Sequence, residues 1–244
     1  MPVKKQPDNY HHGNLREALI QAGLRSLQVQ GVETLSLRKL AEQCGVSPAA
    51  PYAHFENKEA LLDAMEEYVM VELTKALEQT ARGYVGKGTL LLELGVTYVL
   101  FFFENPAYFT TLFSRGRHIA AIFEKPLDPS RSAKGMEAER QAEAGKTTAQ
   151  GVTTESADRK GDSQVENPAF NFFEELVGPK LAGLGLDEEK ARSLLIASWA
   201  LVHGLSSIVC TKEINEKLRA EGRVEDRIRE ILSSQRPNLP NPFI

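Results

Sequence analysis

The chain has 244 residues, 42% of them hydrophobic and 25% charged, and a formal net charge of −4. Such a composition belongs to a soluble globular protein that can bury a core without staples, and it excludes a surface that is basic throughout. Residues 1–60 nevertheless hold seven Lys/Arg against six Asp/Glu, leaving −5 for the remainder, a weak asymmetry with the sign that DNA contact at the N-terminus requires.

The opening MPVKKQPDNYHHG has no apolar stretch, so no secretory leader is expected. Asn14 to Gln30 brings Leu15, Leu19, Ala22 and Leu27 near one stripe and predicts a helix ended by Gly31. Ser36 is placed to cap a short helix, LRKLAEQC, which Gly45 stops. A third short helix is expected from Ser47, with Ser47 as its N-cap and Pro48 at its first position. Pro51 removes one internal hydrogen bond, so that helix should be short and irregular. Asn57 then starts a long helix whose apolar face is Leu61, Leu62, Met65, Val69, Leu73, Ala76 and Leu77.

Leu37 to Phe55 therefore reads as helix, three-residue turn, helix. Ala41 is small where two helices must cross, Gly45 can turn left-handed, and Val46 plugs the turn from below. This is the spacing of a helix-turn-helix, and also of helical hairpins with no role on DNA.

The surrounding residues sharpen the reading. Leu15, Gly31-Val32, Thr34, Ser36, Ala41, Gly45-Val46-Ser47, Tyr52, His54-Phe55, Lys58-Glu59 and Leu61-Leu62 fall in an order that resembles the TetR family of transcriptional repressors. The resemblance covers about 55 residues. It implies a three-helix DNA-binding domain, residues 1–60, and a helical regulatory and dimerisation domain, residues 61–244. It also implies that Tyr52 and His54 donate to phosphates and that Lys58 clamps one. Thr34, Ser36 and Ser47 are further hydroxyl donors near helix N-termini. Ala49, Ala50 and Pro51, with Pro48 before them, are small enough to let the backbone approach thymine methyls. Arg38 and Lys39 are within reach of a base edge or a phosphate. Ala53 departs from the family, where a longer side chain is common, and leaves the operator sequence open. Read from the residues alone, Tyr52 and His54 are also compatible with interior positions, whereas Phe55 is core. Tyr10 to Arg16 resembles the N-terminal arm of one TetR subgroup and reads as a DNA-backbone arm or a solvated tail.

Further along, LLLELGVTYVLFFF, Leu90 to Phe103, is too short to span a bilayer and suits a buried core helix at about 89–104, with no membrane association expected. AYFTTLFSR follows Asn105-Pro106 as a short helix. About 124–167 is poor in large apolar residues and reads as a mobile insertion. Helices are expected again at about 168–182, from Asp187, and over Val224, Ile228, Ile231 and Leu232; the tail RPNLPNPFI cannot be helical. The fold class is all-α.

Trp199, His203 and Gly204, in SWALVHGLSS, resemble the Trp-His-Gly motif of one type of TetR C-terminal domain, on what reads as the penultimate helix. Trp199 and His203 are four apart and share a face. Ala197, Ala200, Gly204 and Ser207 form a small-residue stripe on the same helix. The stripe packs either within the chain or, with the helix at about 223–234, against a second copy as a four-helix bundle, giving a homodimer through the last two helices. A small hydrophobic effector would sit among aromatics: Tyr98, Phe102, Tyr108, Phe109, Phe113, Phe172, Phe173 and Trp199, with His203 beside them or simply bonded to a backbone carbonyl.

No phosphate loop, nucleophile elbow, metal spacing or dense His/carboxylate cluster is present in the sequence, so neither catalysis nor a cofactor is expected. Cys44 and Cys210 read as small buried hydrophobes of a reducing cytoplasm. The expected function is a cytoplasmic, nucleoid-associated repressor binding a palindrome in double-stranded DNA. The competing class is a helical interaction protein with an idle helix-turn-helix.

Overall fold

The computed structural model describes residues 14–30, 35–85, 89–119, 167–182 and 187–234, and every regular element among them is helical. Thr34, the arm up to Gly13, the C-terminal tail and all of the expected insertion except Asn167 lie outside the described residues. The chain divides into two compact units, Met1–Val69 and Met70–Ile244.

In the first unit, α1 spans Leu15–Gln30. Asn14 caps it: its side-chain oxygen accepts from the Glu17 N–H at 3.2 Å, and its amide donates to the Glu17 carboxylate. Helix α2 spans Leu37–Gln43. Gly45 ends it at φ +68°, with Gly45 N–H donating to the Glu42 carbonyl and Val46 N–H to the Ala41 carbonyl. These paired bonds are the Schellman stop, which needs a left-handed residue just past the helix. A Cβ on Gly45 would meet nothing within 4 Å, so the cost of Gly45→Ala is backbone strain alone. We expect a loss of about 1–2 kcal/mol, read from urea denaturation, with the fold intact.

Ser36 stands at the N-cap position of α2 in extended conformation, but its hydroxyl makes no capping bond. Helix α3 spans Lys58–Gly83, and here the cap is made: Asn57 Oδ1 accepts from Ala60 N–H at 2.9 Å, an interaction worth about 1 kcal/mol. Leu19, Leu40, Ala41, Leu61 and Met65 are at most 1% exposed and form the centre of this unit. Against Met65 lies a glycine that periodicity does not single out. A Cβ at Gly23 would stand 2.8 Å from Met65 Sδ, so a side chain there would make the flexible Met65 thioether between α1 and α3 move aside.

In the second unit, α4 spans Leu90–Glu104 and is capped by Thr89, whose hydroxyl accepts from Leu92 N–H at 3.2 Å. Next come α5 (Pro106–Phe113), α6 (Pro168–Ala182) and α7 (Glu188–Val209). Asp187 opens α7, accepting from Lys190 N–H at 2.9 Å. Helix α4 packs against α7 and against α9 (Val224–Ser233), and α6 packs on α7. By length and composition α7 could cross a membrane, but its Leu195, Ser198, Trp199, Val202, Ser206 and Val209 are buried at helical spacing, as in a core helix.

One helix is not foreseen from the sequence, α8 (Lys212–Glu221), and α7 is therefore not the penultimate helix as expected. KEINEKLRAE has too few apolar residues for periodicity to mark. What holds it is polar. Buried Asn215 donates to the carbonyls of Phe103 at 2.8 Å and Val209 at 3.1 Å. Arg219 donates to the same Phe103 carbonyl at 3.1 Å, pairs with Glu104 at 3.0 Å, and lies 4.6 Å over the Phe103 ring. The end of α4, whose carbonyls lack helical partners, is thus capped from a distant segment.

Both cysteines are free. Cys44 is buried, and burial pushes the Cys210 thiol up to about 12 while it donates to the Phe102 carbonyl at 3.3 Å.

Candidate functional site

Ser47 to His54 is the exposed edge of the helix-turn-helix. Instead of an α-helix capped by Ser47, the chain makes a turn at Pro48-Ala49 and a 3-10 helix at Ala50–Ala53, whose cap position is Ala49. The reason is local. Pro51 has no N–H to give to the Ser47 carbonyl, so that carbonyl takes Ala50 N–H at 3.0 Å, one residue early. Tyr52 N–H and His54 N–H continue the same tight pattern onto Ala49 and Pro51.

Burial separates the predicted contact residues. Ser47, Pro48, Ala49, Ala53 and His54 are exposed, Ala50 is half-buried, and Tyr52 is 56% exposed. Neither Tyr52 nor His54 is an interior residue. Pro51 is buried, so it belongs to the packing beneath the segment and, contrary to expectation, does not face outward toward a thymine methyl. Phe55 is 2% exposed, with the Arg16 guanidinium 5.6 Å from its ring centroid. Arg38 and Lys39 are exposed on the first turn of α2, Ser36 is half-buried before them, and Lys58 is half-buried at the start of α3. Small side chains therefore occupy the tip of the motif, with hydroxyl, imidazole and cationic groups around it.

Residues 19–65 match the model for bacterial regulatory proteins of the tetR family. The N-terminal segment is therefore similar to that of tetR-family regulators. Over 55 residues it is 49% identical to the class C tetracycline repressor of Escherichia coli, a match covering 22% of this chain and 25% of that protein. The chain thus spans about a quarter of the length of that relative. Two solved structures share the fold over nearly the whole chain. A Rhodococcus protein of unknown function aligns with TM-score 0.55 at 23% identity, covering 92% of this chain and 98% of that one. A Rhodococcus regulatory protein of the tetR family aligns with TM-score 0.50 at 15% identity, covering 88% and 95%.

The second unit contains a cavity of about 30 Å³, room for about two water molecules. Of the aromatics predicted to line a pocket, Tyr98, Phe113, Phe173 and Trp199 do so; Phe102, Tyr108, Phe109 and Phe172 do not. Phe102 is fully buried at the hub of the aromatic core, where the rings of Tyr98, Phe101, Phe109 and Phe113 stand 5.1–5.8 Å from its own. The lining that aromatic content does not reveal comes from Met70, Leu73 and Leu77 on α3 and from Leu94 and Gly95 on α4.

His203 lies beside the cavity rather than in its wall. Its ring stacks on Trp199 (4.5 Å, 24°) and meets Phe113 edge-on at 4.4 Å. Its Nδ1 is 3.4 Å from the Tyr98 hydroxyl, so its partner is a phenol and not a backbone carbonyl. Burial pushes the Tyr98 phenol well above its usual range, although a hydrogen bond from Trp199 pulls the other way. Burial also holds the His203 imidazole below its ordinary 6.5. The unfolded chain therefore takes up this proton first as pH falls, and stability drops as pH descends from about 6.5 toward the lower folded value. His203→Gln should flatten the fall in Tm between pH 7 and 5; an unchanged slope would show that His203 does not carry it.

Among the described residues, no group of three His, Cys, Asp or Glu is arranged to hold a metal ion.

Proposed function

We propose that this protein is a DNA-binding transcriptional regulator. In this reading it is a repressor that holds a palindromic operator as a homodimer in the cytoplasm, at the nucleoid, and releases it when a small apolar effector enters the second unit. The observation that carries the reading is the exposed Ser47–His54 segment, with its small tip and polar flanks, inside a TetR-type helix-turn-helix.

Residues 1–60 would then form the reading head and 61–244 the regulatory and dimerisation part. Pro48, Ala49 and Ala50 approach the groove floor, while Ser47, Tyr52, His54 and Lys58 bind phosphates, joined by Thr34 and Ser36. Arg38 reaches a phosphate or a base edge. Trp199 stacked on His203, with Gly204 after them, supports a C-terminal part of the Trp-His-Gly type. Exposure of Ala197, Ala200, Gly204 and Ser207, with Ile208 56% and Ile231 42% exposed, supports pairing of α7 and α9 with a second copy. Met70, Leu73 and Leu77 line the cavity from the helix that Lys58 opens. A ligand among them would move α3 and alter the spacing of the two heads, which half-sites on DNA hold constant.

The test is selection of sites from a random duplex library with the purified protein at near-physiological salt. A recovered palindrome establishes two-fold, sequence-specific binding and fixes the head spacing. A folded dimer that recovers no motif instead favours a helical interaction protein whose helix-turn-helix is idle, a reading to which exposed Ala53 also points.

A further inference from the structure

We propose, on the DNA-binding reading above, that the tip of the helix-turn-helix selects DNA by the C5 methyl group of a pyrimidine, thymine's or that of 5-methylcytosine.

The residue types at the tip leave few other ways to tell bases apart. From Ser47 to Ala53 the only polar side chains are Ser47 and Tyr52, both assigned above to phosphates. Pro48, Ala49 and Ala53 are exposed and Ala50 is half-buried, so the tip presents an aliphatic patch. The backbone adds little to it. Pro48 and Pro51 have no N–H, and the N–H groups of Ala50, Tyr52 and His54 are bonded within the segment. The tip therefore has no guanidinium to pair with guanine and no side-chain amide to pair with adenine. Around it the surface turns cationic: Arg38 and Lys39 are exposed on the first turn of α2, and Lys58 is half-buried at the start of α3. An aliphatic tip inside a cationic rim fits a polyanion that carries an apolar group in a groove. The major groove of DNA offers one such group, the C5 methyl. Thymine has it, uracil and cytosine lack it, and 5-methylcytosine regains it.

A methyl is a small target, and dispersion contact fades steeply with a gap of even half an ångström. Its reader must therefore be held still. The rings of Pro48 and Pro51 fix two φ angles of the segment. Pro51 and Phe55 are buried and anchor the segment from beneath. His54 N–H and Phe55 N–H both donate to the Pro51 carbonyl at 2.9 Å. On the other side, the left-handed stop at Gly45 sets where the segment begins. The alanine and proline side chains between these anchors have no rotamers to lose on contact.

The full-length protein is taken through site selection twice at near-physiological salt. One random duplex library contains thymine, and the other has deoxyuridine in its place throughout. Uracil pairs as thymine does and lacks only the methyl. A motif is expected from the first library and its loss or weakening from the second. On the recovered operator, one thymine-to-uracil change at the position the tip meets should weaken binding about fourfold, the worth of one buried methyl. A 5-methylcytosine·guanine pair there should bind more tightly than cytosine·guanine by a similar factor. Pro48→Gly, Ala49→Gly and Ala50→Gly, checked for folding by circular dichroism, should between them shrink the thymine-to-uracil ratio. Should they fail to fold, the DNA substitutions alone decide. Affinity indifferent to uracil at every thymine of the motif, or a ratio unchanged in all three folded variants, would overturn methyl readout by the tip. Loss with uracil and no gain with 5-methylcytosine assigns the contact to thymine alone; a gain with both assigns it to either base. The outcomes also separate from the regulator reading. The same motif from both libraries removes only methyl readout, whereas no motif from either, with a folded dimer, removes both.

Discussion

Phe102→Ala lowers the free energy of unfolding by about 3–5 kcal/mol, read as a fall in the urea midpoint at unchanged slope. The magnitude follows from position. Phe102 is 0% exposed and is flanked by the rings of Tyr98, Phe101, Phe109 and Phe113. Removing it takes away the buried area of the ring and several edge-to-face contacts at once, and leaves a space that rigid aromatic neighbours cannot close. Phe109 packs on the same hub but is half-buried, so Phe109→Ala should cost distinctly less. A loss below about 1 kcal/mol for Phe102→Ala would mean that the surrounding rings collapse into the gap. The pair also separates core from cavity. Phe102 does not line the cavity, so its loss should weaken the fold without removing a ligand contact.

Tyr52→Phe and Lys58→Ala should each weaken operator binding about tenfold, or about 1.4 kcal/mol, and by about a hundredfold together if they act independently. Tyr52→Phe removes only a hydroxyl, on a ring that is 56% exposed. The melting temperature should therefore not move, and any loss of affinity belongs to DNA. Lys58→Ala removes a cation at the opening of α3. It should weaken binding alike across operator variants and reduce the slope of log affinity against log salt by about one. Unchanged affinity in both variants would take these residues off the DNA face, whatever the library selection returned.

Both predictions depend on features of different legibility. The helix-turn-helix was readable because its signals are local. Asn57 caps the helix that follows, Gly45 stops the one before, and Ala41 is 0% exposed at the crossing. The approach of α1 to α3 was not readable. Gly23 looks like any helical glycine until Met65, distant in sequence, is found 2.8 Å from where its Cβ would stand. The aromatics were legible as a set, but not as core and cavity wall. Which ring meets a void depends on packing from several helices, and the α3 side chains that complete the wall look like ordinary core.

Residue types and spacings by themselves determined the all-helical class, the main helix starts at Asn14, Asn57, about 89 and Asp187, and a helix-turn-helix that resembles the TetR family. Each is written in side chains that act within one turn of themselves: a cap accepts a hydrogen bond three residues on, and a left-handed glycine ends a helix where it stands. Only the tertiary structure decided that Pro51 turns inward, that α8 exists, and that Gly95 faces a space. Those outcomes rest on partners far away in the chain. Asn215 and the Phe103 carbonyl it caps are 112 residues apart, and no periodicity along the chain records a bond that long.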